Sequence, residues 1–195
     1  DIRLVGASVT GGGNVGALAG ELTGETLLDG CRVMLSRSQG QLTDDRTERD
    51  LWLDGMTTGG LVGAVVTNQP VTIRNSLAAT VARGETAVGG LVGRVDAGPI
   101  TVERSYADSY LFSEEVVGGL LGLCQSACDM TVADCYAAGF LDAPETSGLV
   151  AGEVGGGDSL ARVYSACAPL DGNRKLTYAI GKPGSLGQAR VERVY

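Results

Sequence analysis

The chain has 195 residues, 44% of them apolar but only 5% aromatic, with 31 glycines and a formal net charge of −8. That balance supports a continuous core of aliphatic and small side chains, and the acidity without a basic stripe argues against nucleic acid as a partner. No histidine is present, which removes Ser-His-Asp and Cys-His catalysis, and no 18-residue apolar run supplies a membrane-spanning helix.

Two motifs hold phase along the sequence. The first is a glycine-rich hexad, Asn-Val-Gly-Ala-Leu-Ala at 14–19, Thr-Gly-Gly-Leu-Val-Gly at 58–63 and Val-Gly-Gly-Leu-Val-Gly at 88–93. It returns as Val-Gly-Gly-Leu-Leu-Gly at 117–122 and Thr-Ser-Gly-Leu-Val-Ala at 146–151. Counted from Leu61, Leu91, Leu120 and Leu149, the steps are 30, 29 and 29 residues. The second motif, aliphatic-x-x-small-Tyr, stands at 102–106, 132–136, 160–164 and 191–195. The copy at 73–77 has Leu for Tyr, 28–32 is a weaker copy, and 2–6 reads as the tail of another. Only the step from 28 to 73 is out of line, and it marks an insertion of about 15 residues, placed at 36–54.

Within a repeat the apolar pattern has period two, so Leu91, Gly93 and Val95 share one face and Arg94 points to solvent. Leu22, Val65, Val95, Cys124 and Val154 form one inward stack, and Ser76, Ser105, Cys135, Val163 and Val194 form another, with a corner near Glu103 and Arg104. A repeat of this length has a contour of roughly 95 Å at about 3.3 Å per residue, which suits one wide turn of three short strands. The expected fold is all-β: a right-handed parallel β-solenoid (β-helix) of about 6–7 coils with a repeat of about 29 residues and one inserted loop. Residues 1–195 are read as one domain, and because both ends fall inside a repeat, as a piece of a longer surface protein. A propeller is the second choice, but its blades need about 40 residues or more and aromatic signatures missing here.

Gly-Gly-Leu-Val-Gly followed by Val-x-x-Cys-Tyr-Ala resembles the GLUG motif, named for its Gly-Leu-any-Gly core. That core stands here at Gly60, Leu61 and Gly63, at Gly90, Leu91 and Gly93, and at Gly119, Leu120 and Gly122. The copy at Gly148 and Leu149 departs by carrying an extra Ala151, and 16–20 has an Ala inserted likewise. The resemblance implies a secreted or wall-attached bacterial protein, similar to adhesins or to the repeat regions of immunoglobulin A peptidases. In such proteins the repeats sit beside the catalytic domain, so no catalytic residue carries over.

The expected function is therefore a non-catalytic, extracellular repeat region at the bacterial cell surface or secreted, acting in adhesion or as a rigid stalk. The alternative is an accessory substrate- or carbohydrate-binding region of a secreted peptidase or polysaccharide-active enzyme. Candidate binding residues are Tyr106, Tyr136 and Tyr164, which alternation places outside in a ladder, and the insert's Trp52, Asp44 and Asp45. The plainer readings are mutual shielding by the tyrosines and a solvated loop with its Trp tucked back. Expected partners are a host glycan, a host or bacterial surface protein and neighbouring domains of the same chain; no cofactor is expected. Cys124 and Cys128 are a candidate disulfide, with buried free thiols as the other reading, and the cysteine spacing matches no zinc pattern. The acids, Asp108 and Asp134 among them, are read as surface charge, since they do not share a repeat position.

Overall fold

β-Branched and small residues fill each repeat, and glycine interrupts them too often for a helix to propagate. The computed structural model describes residues 1–6, 8–34, 53–125, 128–143, 146–155, 158–169, 179–183 and 190–194. Every regular element among them is a strand, from Arg3–Val5 to Arg190–Val194. None of them belongs to a helix long and apolar enough to cross a membrane.

All pairings between these strands are parallel, and each joins a residue to its counterpart one repeat away. Tyr106 pairs with Leu77 on one side and Tyr136 on the other, and Tyr136 with Tyr164. Leu4, Val33, Ala78, Ala107, Ala137 and Ser165 form a single column in the same way. One circuit separates each position from the next, giving a β-solenoid of about 5 turns. Three parallel sheets wall it. In one turn they are represented by Tyr106–Ser113 with Val116–Gly118, by Leu121–Cys124 and by Cys128–Ala133.

Backbone register refines the motif alignment. Gly118 pairs with Gly148 and Leu121 with Ala151, so the residue that continues the column of Leu61, Leu91 and Leu120 is Val150, not Leu149. Leu149 instead takes the place of Gly119, and it is only half buried. Gly16 pairs with Gly59 and Ala19 with Val62, so the first copy carries no extra residue either. The conserved unit is a pentad, Gly-x-aliphatic-x-Gly, and what anchors it is the pair of glycines four apart. The physical reason is crowding: a Cβ on Gly89 would overlap the Val92 carbonyl, and one on Gly93 would lie 2.6 Å from the Gly63 carbonyl oxygen. The middle residues need only be apolar, which is why aligning on leucine drifts by one. The segment at 2–6 is also shifted, because Arg3 pairs with Arg32 and thus stands at the tyrosine position of its motif, three residues out from the expected alignment.

The same pentad divides the core. Residues 87–93 are all buried, with no alternation, because apolar side chains lie on both sides of them. Leu61, Leu91, Leu120 and Val150 join the larger cluster, whereas Val88 and Val117 join a second one with Leu53, Ala82, Leu111 and Leu141. The central glycine is pressed against the alanine column across the interior: a Cβ on Gly60 would lie 2.7 Å from Ala78 Cβ, and one on Gly90 2.5 Å from Ala107 Cβ. The Gly-Gly pair therefore forms a waist that splits the cross-section into two lobes. Val65, Val95, Cys124 and Val154 line one column of the larger lobe, at 1%, 0%, 2% and 1% exposure. Arg94, between two inward residues, is paired with Asp96 at 2.8 Å on the outer side.

The insertion enters between Met34, which pairs with Ala79, and Leu53, which pairs with Ala82. Leu53 and Asp54 lie in the strand Leu53–Gly59, and Leu53 is fully buried, so they belong to the wall and the insert closes before them.

Candidate functional site

One corner of the solenoid carries the chemistry. At this corner each turn places a residue with left-handed backbone: Gly30, Asn75, Arg104, Asp134, Arg162 and Arg193, the non-glycines at φ between 46 and 55°. A non-glycine there is disfavoured, and asparagine and aspartate tolerate it best. Holding the turn is the small inward residue that follows. Ser76 Oγ donates to the Arg74 carbonyl at 2.7 Å and Ser105 Oγ to the Glu103 carbonyl at 2.9 Å. The same oxygens accept from the turn below, Cys31 N to Ser76 Oγ and Ser76 N to Ser105 Oγ, both at 3.1 Å. Cys135 continues the ladder, its thiol donating to the Ala133 carbonyl at 3.1 Å, and burial pushes that thiol up to about 11. Ser105→Ala strands the buried Ser76 amide, and a loss of about 1–3 kcal/mol is expected in denaturant titration. Ser105→Cys, which mimics Cys135, should recover part of it.

Directly after the small residue the chain turns its aromatic side chain outward. Tyr106, Tyr136 and Tyr164 are 44%, 37% and 53% exposed. Tyr136 and Tyr164 stack with centroids 5.6 Å apart. Four residues on, Tyr110 and Phe140 form a second contact on the same outer wall, at 5.0 Å. The two columns are about 13 Å apart across the sheet, at about 3.3 Å per residue. Tyr106 makes no ring stack with Tyr136 among the described residues. Between them lies a shallow groove of about 570 Å³ lined by Arg104, Ser105, Tyr106, Asp108, Asp134, Tyr136 and Ala138.

The charges around the groove are mostly paired turn to turn. Arg162 Nη2 donates to Asp134 Oδ2 at 2.7 Å, and this guanidinium holds the Asp134 carboxyl below the usual carboxylate range. Arg104 donates to Glu103 at 2.7 Å and to Asn75 Oδ1 at 3.1 Å. Further along the edge, hydrogen bonds from Asn75 and then Arg74 lower the Asp29 carboxyl. Exposed pairs of this kind contribute little to stability; they hold side chains in place. Asp108 pairs in register with Ala138 and Asp134 stands at the corner, so the two acids come from different repeat positions yet line one groove.

Trp52, Asp44 and Asp45 lie outside the described residues. Cys124 and Cys128 form a disulfide with Cα atoms 6.2 Å apart, while Cys31, Cys135 and Cys167 are free. Beside the disulfide stands an acid that the motif reading missed. Asp158 is 1% exposed, and burial raises its carboxyl pKa against the opposing pull of the Met130 and Gly155 amides. Its signal in the sequence is an acid where the repeat calls for an aliphatic residue, but the uneven loops after Cys124 and Val154 hide that alignment.

Fold and corner together define the class: a parallel β-solenoid with an aromatic outer wall. No family model, curated protein or solved structure matches the chain.

Proposed function

We propose that this chain is a non-catalytic extracellular repeat segment of a bacterial surface protein that presents its tyrosine wall for adhesion. The observation carrying the reading is that Tyr106, Tyr136 and Tyr164 recur in register yet stay exposed, at positions where any polar residue would satisfy the strand. Stacked rings bury only one another's faces; the unstacked pair Tyr106 and Tyr136 leaves a groove with aromatic walls and polar ends, the composition that sugar rings and protein loops both use. The resemblance of Gly-Gly-Leu-Val-Gly to the GLUG motif supports the surface location. Support for a non-catalytic role comes from the lack of histidine and from the pairing of the corner acid Asp134 with a neighbouring arginine. The coil is assigned a right-handed wind, since connections between parallel strands of one sheet take that hand in about 98% of cases. Counting the end segments as turns gives 6–7 coils in the proposed full array, a rod of roughly 30 Å at about 4.8 Å per rung.

Binding of the chain to immobilised glycans and to host matrix proteins tests this. Tyr136→Ala is expected to weaken binding at least tenfold, because a central aromatic anchor is worth about 2 kcal/mol. Equal binding by Tyr106→Ala, Tyr136→Ala and the parent would move recognition off this wall. If the parent binds nothing, the segment is a spacer. Loss on Trp52→Ala alone would assign recognition to the insert and favour the alternative, an accessory region of a secreted enzyme.

A further inference from the structure

Asp158 occupies a core column that is apolar in the three turns before it, beyond which Thr26 pairs with Val71. Val71 pairs with Ile100 and Ile100 with Met130, and the pairing of Thr131 with Ser159 sets Asp158 over Met130. One oxygen, Oδ1, accepts the Met130 amide at 2.9 Å. The other, Oδ2, is buried and has no hydrogen-bond partner of ordinary geometry among the described residues, although the Gly155 amide stands near enough to the carboxyl to lower its pKa. Such a group is costly in an apolar core unless something compensates it, and a valine or methionine would fill the space without that cost.

What faces the carboxylate is sulfur. Cys124 Sγ and Cys128 Sγ each lie 3.9 Å from Asp158 Oδ1. The three donor atoms lie within 4.8 Å of one another, and all three residues are buried. A tetrahedral ion with bonds of about 2.3 Å to sulfur and about 2.0 Å to oxygen spaces such ligands roughly 3.5 Å apart along a sulfur–oxygen edge. The sulfur-to-carboxylate distances are already close to that value. Only the sulfurs must separate, and breaking their bond allows it.

We propose that reduction of the Cys124–Cys128 disulfide converts this cluster into a thiolate–carboxylate site for a borderline-soft divalent cation of the zinc class. In the reducing step a small dithiol supplies two electrons and two protons. The S–S bond breaks, Cys124 and Cys128 become thiols, and the reductant closes to its own cyclic disulfide. Binding of the cation then displaces both thiol protons to solvent, and Asp158 contributes the third protein ligand. A water completes four-coordination. The oxidised and metal-loaded states are alternatives, because a disulfide sulfur has no thiolate charge to donate.

Cadmium titration of the dithiol-reduced, desalted chain under anaerobic conditions tests the site, followed by the ultraviolet thiolate-to-cadmium charge-transfer band and by zinc competition with a chromophoric chelator. One tight equivalent is expected for the reduced chain and none for the oxidised chain. Cys124→Ser and Cys128→Ser should abolish the tight equivalent. Asp158→Asn, which keeps shape and both thiols, should weaken it at least tenfold, with circular dichroism confirming that each variant retains its strands. No tight equivalent in the reduced chain overturns the proposal. So does a band that survives both cysteine variants, which would assign the metal to Cys31, Cys135 or Cys167, or unchanged affinity in Asp158→Asn.

Discussion

Gly90→Val is expected to destabilise the chain by about 3 kcal/mol or more, read as a lower denaturant midpoint and melting temperature. The added Cβ would overlap the Gly119 carbonyl of the next turn and come within 2.5 Å of Ala107 Cβ across the waist. Neither is the free end of a flexible side chain, so relief requires the backbone of two turns to move. The two obstacles separate by a double-mutant cycle. Gly90→Ala alone should cost less than valine, and adding Ala107→Gly should return only part of the loss, since the Gly119 carbonyl remains in the way. Full rescue would mean that the waist is set by the alanine column alone. No loss from Gly90→Val would mean that the two lobes are not pinched at this point.

The glycine waist also shows how far the sequence could be read. Periodicity was enough for parallel strands stacked like over like, because each repeat had to place the same side chain in the same environment: Tyr106 over Tyr136, Val102 over Val132. The exposure of the tyrosines followed from alternation next to the buried serine. Alternation failed where its premise failed. Between Ala87 and Gly93 both sides of the strand are interior, so every residue is buried and neither face can be called outward. Leu149 misled because leucine is the most visible letter of the motif, whereas the register is fixed by the small residues Gly148 and Gly152, whose room is limited by backbone. The serine ladder was visible only as small size; its hydrogen bonds run between turns, and the cue was the series Gly30, Asn75 and Asp134, residues that tolerate left-handed backbone, just before it. Asp158 was hidden by unequal loops that shift its count by residues rather than by its environment.

Leu91→Ala is expected to cost about 2–5 kcal/mol, and the position of the loss along the axis matters as much as its size. Leu91 is fully buried, with Leu61 on one side and Leu120 on the other, joined through Leu61 N to Leu91 O at 2.9 Å and Leu91 N to Leu120 O at 2.8 Å. Leu18 stands in the same column one turn beyond Leu61, where it is only half buried and, among the described residues, has a column neighbour on one side alone. In a stack whose stability is a sum over turns and the interfaces between them, a cavity in a central turn weakens two interfaces and one at the end weakens a single interface. Leu18→Ala should therefore cost clearly less than Leu91→Ala. The central variant should also broaden the unfolding transition, because the turns on either side of the cavity no longer melt as one unit. Circular dichroism through a denaturant titration reads both quantities, the midpoint and the steepness. Equal losses at the two leucines would contradict nearest-neighbour coupling along the axis, and with it the stacking of these turns as a one-dimensional array.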